Sequence, residues 1–224
     1  MPSLYDEMLS LLNAPLHVVI QPDVQVRAGE VINHWDLPGS DRSALRTWGL
    51  PDGPLLRPAP QVDSLPTLVP NVAGEPERRL ISADERLYLL GVYGANFDPT
   101  LSIRVGAVAG TGRVMGIRAR PMTTDDLHPQ LRPYHQNLYH PAVCYFNASV
   151  ASFVEVAWRW RAAVQLLRAH PEPHYTAPSD EHEQHHAEVD RSCEAFLARM
   201  TMLDPTLGDL NLGSLWVETI TEDL

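Results

Sequence analysis

The chain has 224 residues, 44% of them hydrophobic, which suits one large domain with a sizeable core. Its formal net charge is -11, the opposite of the cationic face that neutralises phosphates, so direct nucleic-acid binding is disfavoured. The two cysteines, Cys144 and Cys193, stand far apart and outside any C-x-x-C pair, so no disulfide framework is indicated.

In chain order, residues 3–13 carry Leu4, Met8, Leu11 and Leu12 at helical spacing, with Ser3 as cap and Asp6 three residues on. Residues 16–20 (Leu-His-Val-Val-Ile) read as a strand. Residues 40–48 read as a helix stopped by Gly49 and then Leu50-Pro51. Residues 51–76 are proline-punctuated and predict extended loop with one short strand. Strands are expected at 80–83, 87–93, 101–109, 113–120 and 142–146, with Gly110-Thr111-Gly112 as a hairpin turn and Gly116 as a bulge. Residues 121–141 form a polar connection. At Asn147 the period changes: Val150, Phe153, Val154, Ala157, Trp158, Val164 and Leu167 share one helical face, with Asn147 or Ser149 as N-cap. A histidine-rich connection at 169–187 precedes a helix marked by Val189, Cys193, Phe196, Leu197, Met200 and Leu203, and residues 213–223 predict a closing helix that buries Leu215, Trp216 and Ile220. There is no internal repeat and no linker between two cores. These elements make an α+β domain with a central antiparallel sheet flanked by helices, one domain over 1–224.

The N-terminus, with Asp6 and Glu7, does not read as a signal peptide, and no apolar run reaches bilayer length. A cytoplasmic location is expected. Every basic residue is arginine, as in proteins of GC-rich bacterial genomes.

Few constellations point to chemistry. His170, His174, His182, His185 and His186 fall in one stretch, and His182 and His186 have the four-residue spacing of helical metal ligands. Their order is H-E-x-H-H rather than H-E-x-x-H, so solvated histidines are the favoured reading and the metal set is none, with His182 and His186 as weak candidates. Gly106, Gly110 and Gly112 lack the spacing and the following helix of a phosphate loop. No G-x-S-x-G elbow occurs. Cys144 lies in an apolar run, where an inert thiol is expected rather than a pair with His135 or His140. No catalytic residue and no cofactor is assigned. The acidic pairs Asp84-Glu85 and Asp125-Asp126 are either solvated loop charge or a rim for a basic partner. Trp160 is off the core face of its helix, hence exposed as an interface anchor or covered by another segment, a proline-rich loop being one cover.

The order of motifs resembles the SUKH superfamily of bacterial immunity proteins, above all its fourth subgroup, common in actinobacteria. The likeness lies in Leu45-Arg46-Thr47-Trp48-Gly49-Leu50-Pro51, in Leu65-Pro66-Thr67-Leu68, in Leu87-Tyr88-Leu89-Leu90-Gly91 and in Gly110-Thr111-Gly112-Arg113-Val114. It continues in the Asn147-Ala148-Ser149 start of the helix that carries Phe153, and in Leu203-Asp204-Pro205 with Trp216. It spans about residues 40–224, leaving 1–39 as an N-terminal extension and 170–187 as a His-rich insertion loop. The chain departs from the pattern at Val108-Ala109-Gly110, where the family carries an acidic residue.

The resemblance implies the Smi/Knr-like α+β fold. It also implies a role in binding and neutralising a cognate polymorphic toxin domain, a nuclease or deaminase of basic surface, without catalysis. Gly49, Pro51, Gly112, Asn147, Ser149, Phe153, Asp204 and Trp216 are then structural signature positions. Asp84, Glu85, Asp125, Asp126 and Trp160 are the guess for partner contacts. A regulatory interaction module on the same fold, or a metal-dependent hydrolase using the histidines, are the alternatives.

Overall fold

The structure is a computed structural model that describes residues 3–94, 102–176 and 178–222. Leu101 and Asp223, at the margins of an expected strand and helix, and Ala177 in the histidine-rich stretch lie outside the described residues.

Helix α1 (Leu4–Asn13) begins where Ser3 Oγ accepts the Asp6 backbone N–H, and it buries Leu4, Met8 and Leu12. The next segment differs from expectation: Leu16–Val19 is a single helical turn, α2, not a strand. Pro15 directs the chain into the turn, and the Ile20 N–H closes it on Leu16 O. A short apolar run fits either state by periodicity, and the local turn decides it here.

Strand β1 (Gln25–Val26) pairs antiparallel with β2 (Leu50–Pro51) across helix α3 (Gly39–Thr47). Gly49 joins α3 to β2 with φ +56°. A Cβ there would stand 2.4 Å from Val26 O, so the turn requires glycine on both counts. Strand β3 (Leu56–Pro58) is the short strand of the proline-rich stretch.

The strand expected at 80–83 is absent. Helix α4 (Glu75–Leu80) ends on the first of those residues and 81–83 continue as coil and turn; the helix is started by Pro76 in its first turn and by the Glu77 carboxylate accepting the Gly74 N–H at 2.8 Å.

Strands β4 (Leu87–Tyr93), β5 (Ile103–Val108) and β6 (Val114–Ile117) follow as a meander. A two-stranded ribbon of β7 (Met122–Thr123) and β8 (Tyr139–His140) leads into β9 (Val143–Asn147). The main sheet has the order β3-β4-β5-β6-β9, antiparallel throughout.

Gly110 and Gly112 form the expected hairpin turn, both with positive φ. The bulge is not at Gly116, which pairs in register with Val105 and Cys144. The register shifts at Val114/Met115, opposite Asn147 and Tyr145, so Phe146 is the extra residue. Gly116 is small because of packing: a Cβ would lie 2.5 Å from both Cys144 Sγ and Ile103 Cγ2.

Helix α5 (Val150–Ala169) is capped by Ser149 Oγ accepting the Ser152 N–H at 3.1 Å. It packs against α1, α2, α3 and β9. Helix α6 (Ser179–Leu203) begins ten residues before the apolar marks that announce it, and so takes up the second half of the supposed His-rich loop. Polar helix formers such as Glu and Gln fill that first part, which is why hydrophobic periodicity misses it. Helix α7 (Leu215–Glu222) closes the fold.

The two sheet faces bury different cores. Tyr88, Val105 and Phe146 join the helical layer, where Phe146, Phe153, Trp216 and Tyr93 meet mostly edge to face. Leu68, Val108, Met115 and Ile117 form the smaller core on the side of Ile81. Residues 3–39 supply Met8, Leu12, Ile32 and Trp35 to the larger core.

Candidate functional site

The signature positions converge. Asp204 follows the end of α6, and its Oδ2 accepts from Asn147 Nδ2 (2.9 Å), the Ala148 N–H (2.9 Å) and Ser152 Oγ (2.8 Å). Its Oδ1 accepts from the Thr206 N–H and hydroxyl. Asn147 Oδ1 in turn accepts the Trp216 indole N–H at 2.9 Å. One buried polar cluster thus joins β9, the start of α5, the end of α6 and α7. Burial pushes the Asp204 carboxyl up, but the hydrogen bonds from Thr206, Asn147, Ala148 and Ser152 outweigh it and hold the group below the usual carboxylate range.

A second carboxylate meets the same helix end. Asp41 Oδ1 accepts the Ala151 N–H at 3.1 Å, which suits the positive end of the α5 dipole. Its Oδ2 is buried without a hydrogen-bond partner among the described residues, and burial pushes this carboxyl up. A Cβ on Gly112 would lie 1.9 Å from that oxygen, so the turn glycine also makes room for Asp41. Gly49 and Pro51 belong to the same frame. Trp158 donates its indole N–H to Trp48 O and Gly49 O, tying α5 to the turn before β2. These groups fix the register of one element against another. Both carboxylates lie in the interior, Asp204 with each oxygen committed to donors and Asp41 with one oxygen on the α5 backbone, which is scaffolding chemistry.

Three further buried anchors escaped the sequence. Asp41 has no pattern around it. Glu77 accepts from Tyr139 OH and the Ala142 N–H as well as Gly74, and its carboxyl is held low by these bonds against the opposing effect of burial. The glutamate three residues after Gly74 was its one available signal. Arg159 is 3% exposed and donates to Leu11 O, Leu12 O and Ala14 O at the end of α1, while Glu155 balances its charge at 2.9 Å.

The acidic pairs divide. Glu85 accepts the Ser82 N–H and pairs with Arg113 at 2.9 Å, and Asp126 accepts the Thr123 N–H and pairs with Arg120. Asp84 and Asp125 are exposed. The pairs sit on separate connections, one before β4 and one after β7. Trp160 is not an exposed anchor: it is 3% exposed, with Phe196 of α6 edge-on at 5.2 Å. The cover is α6, not a proline-rich loop alone.

His182 Nδ1 and His186 Nε2 both face Glu172 Oε1, at 3.5 and 3.6 Å, as their helical spacing allows. His185 points elsewhere on the helix, toward a hollow beside α5. Among the described residues no group of three His, Cys, Asp or Glu side chains is set to hold a metal ion. Cys144 hydrogen-bonds Gly116 O rather than His135 or His140, and desolvation pushes both Cys144 and Cys193 up to about 11, away from nucleophilic thiolate. Among the described residues, no helix is long and apolar enough to cross a membrane.

A match to the SUKH-4 immunity protein family covers residues 14–220. The chain belongs to that family. No curated protein and no solved structure matches it. As a SUKH-4 immunity protein, the chain has an immunity role, which implies a toxin partner, and its α+β architecture is that of the family. The match begins at residue 14, inside the stretch that the motif resemblance left out as an extension. That agrees with the packing of residues 16–39 into the main core.

Proposed function

We propose that this SUKH-4 protein works in the cytoplasm by binding a cognate polymorphic toxin domain of basic surface, a nuclease or deaminase, and blocking it without catalysis. Membership of an immunity family over nearly the whole chain carries the reading. Charge supports the basic partner: at -11, the chain attracts a cationic groove such as nucleic-acid enzymes carry. The burial of the signature residues Asn147, Asp204 and Trp216 fits a scaffold whose variable surface does the recognising. Asp84 and Asp125, exposed and outside the structural ion pairs, are the proposed rim contacts. Glu85 and Asp126 contribute through the field they share with Arg113 and Arg120.

The test is co-purification and calorimetry with the C-terminal domain of the toxin encoded beside this gene. Binding at micromolar concentration or tighter, with loss of toxin activity, is the expected result. Asp84→Arg with Asp125→Arg should slow association and weaken its salt dependence. A neighbouring toxin domain that does not bind, or that remains active in the complex, refutes neutralisation.

A further inference from the structure

A cavity of about 620 Å³ opens between the turn at residues 51–56, helix α5 and the start of α6. That volume lies in the range of small-molecule sites. Its floor is apolar, formed by Leu56, Ala157, Trp160 and Trp216, and half-buried Leu55 and Val164 continue the wall. Trp160 carries a buried indole N–H that has no acceptor among the described residues.

The mouth is different in character. Arg161 and Arg168 both line it, seven residues apart on α5 and therefore on one helical face, about 10 Å along the axis. Arg161 is oriented by Asp52 O and Gln21 Oε1, both neutral acceptors, and Arg168 is exposed. Among the described residues neither has a carboxylate within ion-pair distance. Glu172, the one acidic residue at this mouth among those described, is faced by His182 and His186. Two uncompensated guanidinium groups over an apolar floor are a local exception in a chain of net charge -11.

From this we propose that the cavity binds an amphipathic organic monoanion: an aliphatic or aromatic body on the floor, with a carboxylate held at the mouth by Arg161 or Arg168. Guanidinium matches carboxylate geometry, and the Trp160 ring in the floor offers the body of the ligand an apolar surface. This site is separate from the proposed toxin contacts, so either can fail without the other.

The experiment titrates the full chain with decanoate and, in parallel, with decylammonium, both below micelle concentration, by calorimetry and by the indole N–H resonances. The Trp160 resonance is identified by its loss in Trp160→Phe. Decanoate should bind and shift that resonance, while decylammonium should bind at least about tenfold more weakly, as expected if a charge-assisted hydrogen bond is lost. Arg161→Gln with Arg168→Gln should weaken decanoate by about tenfold or more with an unchanged unfolding midpoint, and Val164→Phe should do so by filling the space. Absent decanoate binding, equal binding of the two chain-matched ions, or binding that ignores both variants would overturn the assignment.

Discussion

Replacing Asp204 with alanine tests the claim that the signature residues form a structural lock. The carboxylate accepts from five donors, and two of them have no other acceptor in view: the Asn147 amide and the Ala148 N–H. Ser152 Oγ also reaches Ser149 O at 3.0 Å, so it is not stranded, and Thr206 lies nearer the surface. Two buried unpaired donors at about 1–3 kcal/mol each give a cost of about 4 kcal/mol at pH 7. Loss of the charge near the α5 N-terminus adds about 0.5 kcal/mol. Asp204→Asn keeps the shape and should cost about half as much.

The pH dependence follows from the depressed carboxyl. The unfolded chain releases this proton near pH 3.9, and the folded chain at lower pH. Stability from Asp204 is therefore fully present above about pH 4 and is lost as pH falls through the folded value. Urea unfolding of wild type and Asp204→Ala between pH 7 and pH 2.5 should show a constant gap down to about pH 4 that narrows below it. Asp41 titrates in both proteins and cancels. A gap under about 1 kcal/mol at neutral pH, or one that stays flat into acid, refutes the reasoning.

Three other outcomes are expected. Gly112→Ala should cost about 3 kcal/mol in urea unfolding, because φ +75° disfavours a side chain and the new Cβ displaces Asp41; the cost should shrink in an Asp41→Ala background. Asp41→Asn should gain stability relative to wild type as pH rises from 4 to 7, since a carboxyl with a raised folded pKa loses stability over that rise and the amide does not titrate. Cys144 and Cys193, both pushed up to about 11, should react with a disulfide reagent at pH 8 about a hundredfold more slowly in the native chain than after denaturation.

Most of the elements can be read from the sequence where one face of a segment is apolar and the other is not. The α5 pattern from Val150 to Leu167 and the meander β4-β5-β6 are legible for that reason. Where the signal is a cap rather than a period, the reading fails: Pro15 turns one expected strand into a helical turn, and the helix that Glu77 starts ends on Leu80, where another strand was expected. The first part of α6 is hidden because it is polar on nearly every side, although a helix of ordinary propensity needs no apolar stripe where it faces solvent.

The candidate sites divide the same way. Sequence order by itself determined the family, because Asn147, Asp204 and Trp216 and their neighbours are a pattern of identities along the chain. It also determined the acidic charge, which is a sum over residues and needs no geometry. Tertiary structure alone decided what those identities do. It brings together residues 57 and 69 positions apart as one hydrogen-bonded cluster, splits each acidic pair into a structural and a free member, and buries Trp160 beneath Phe196. Burial and hydrogen-bond partnership depend on which elements pack together, and no local stretch of sequence contains that information.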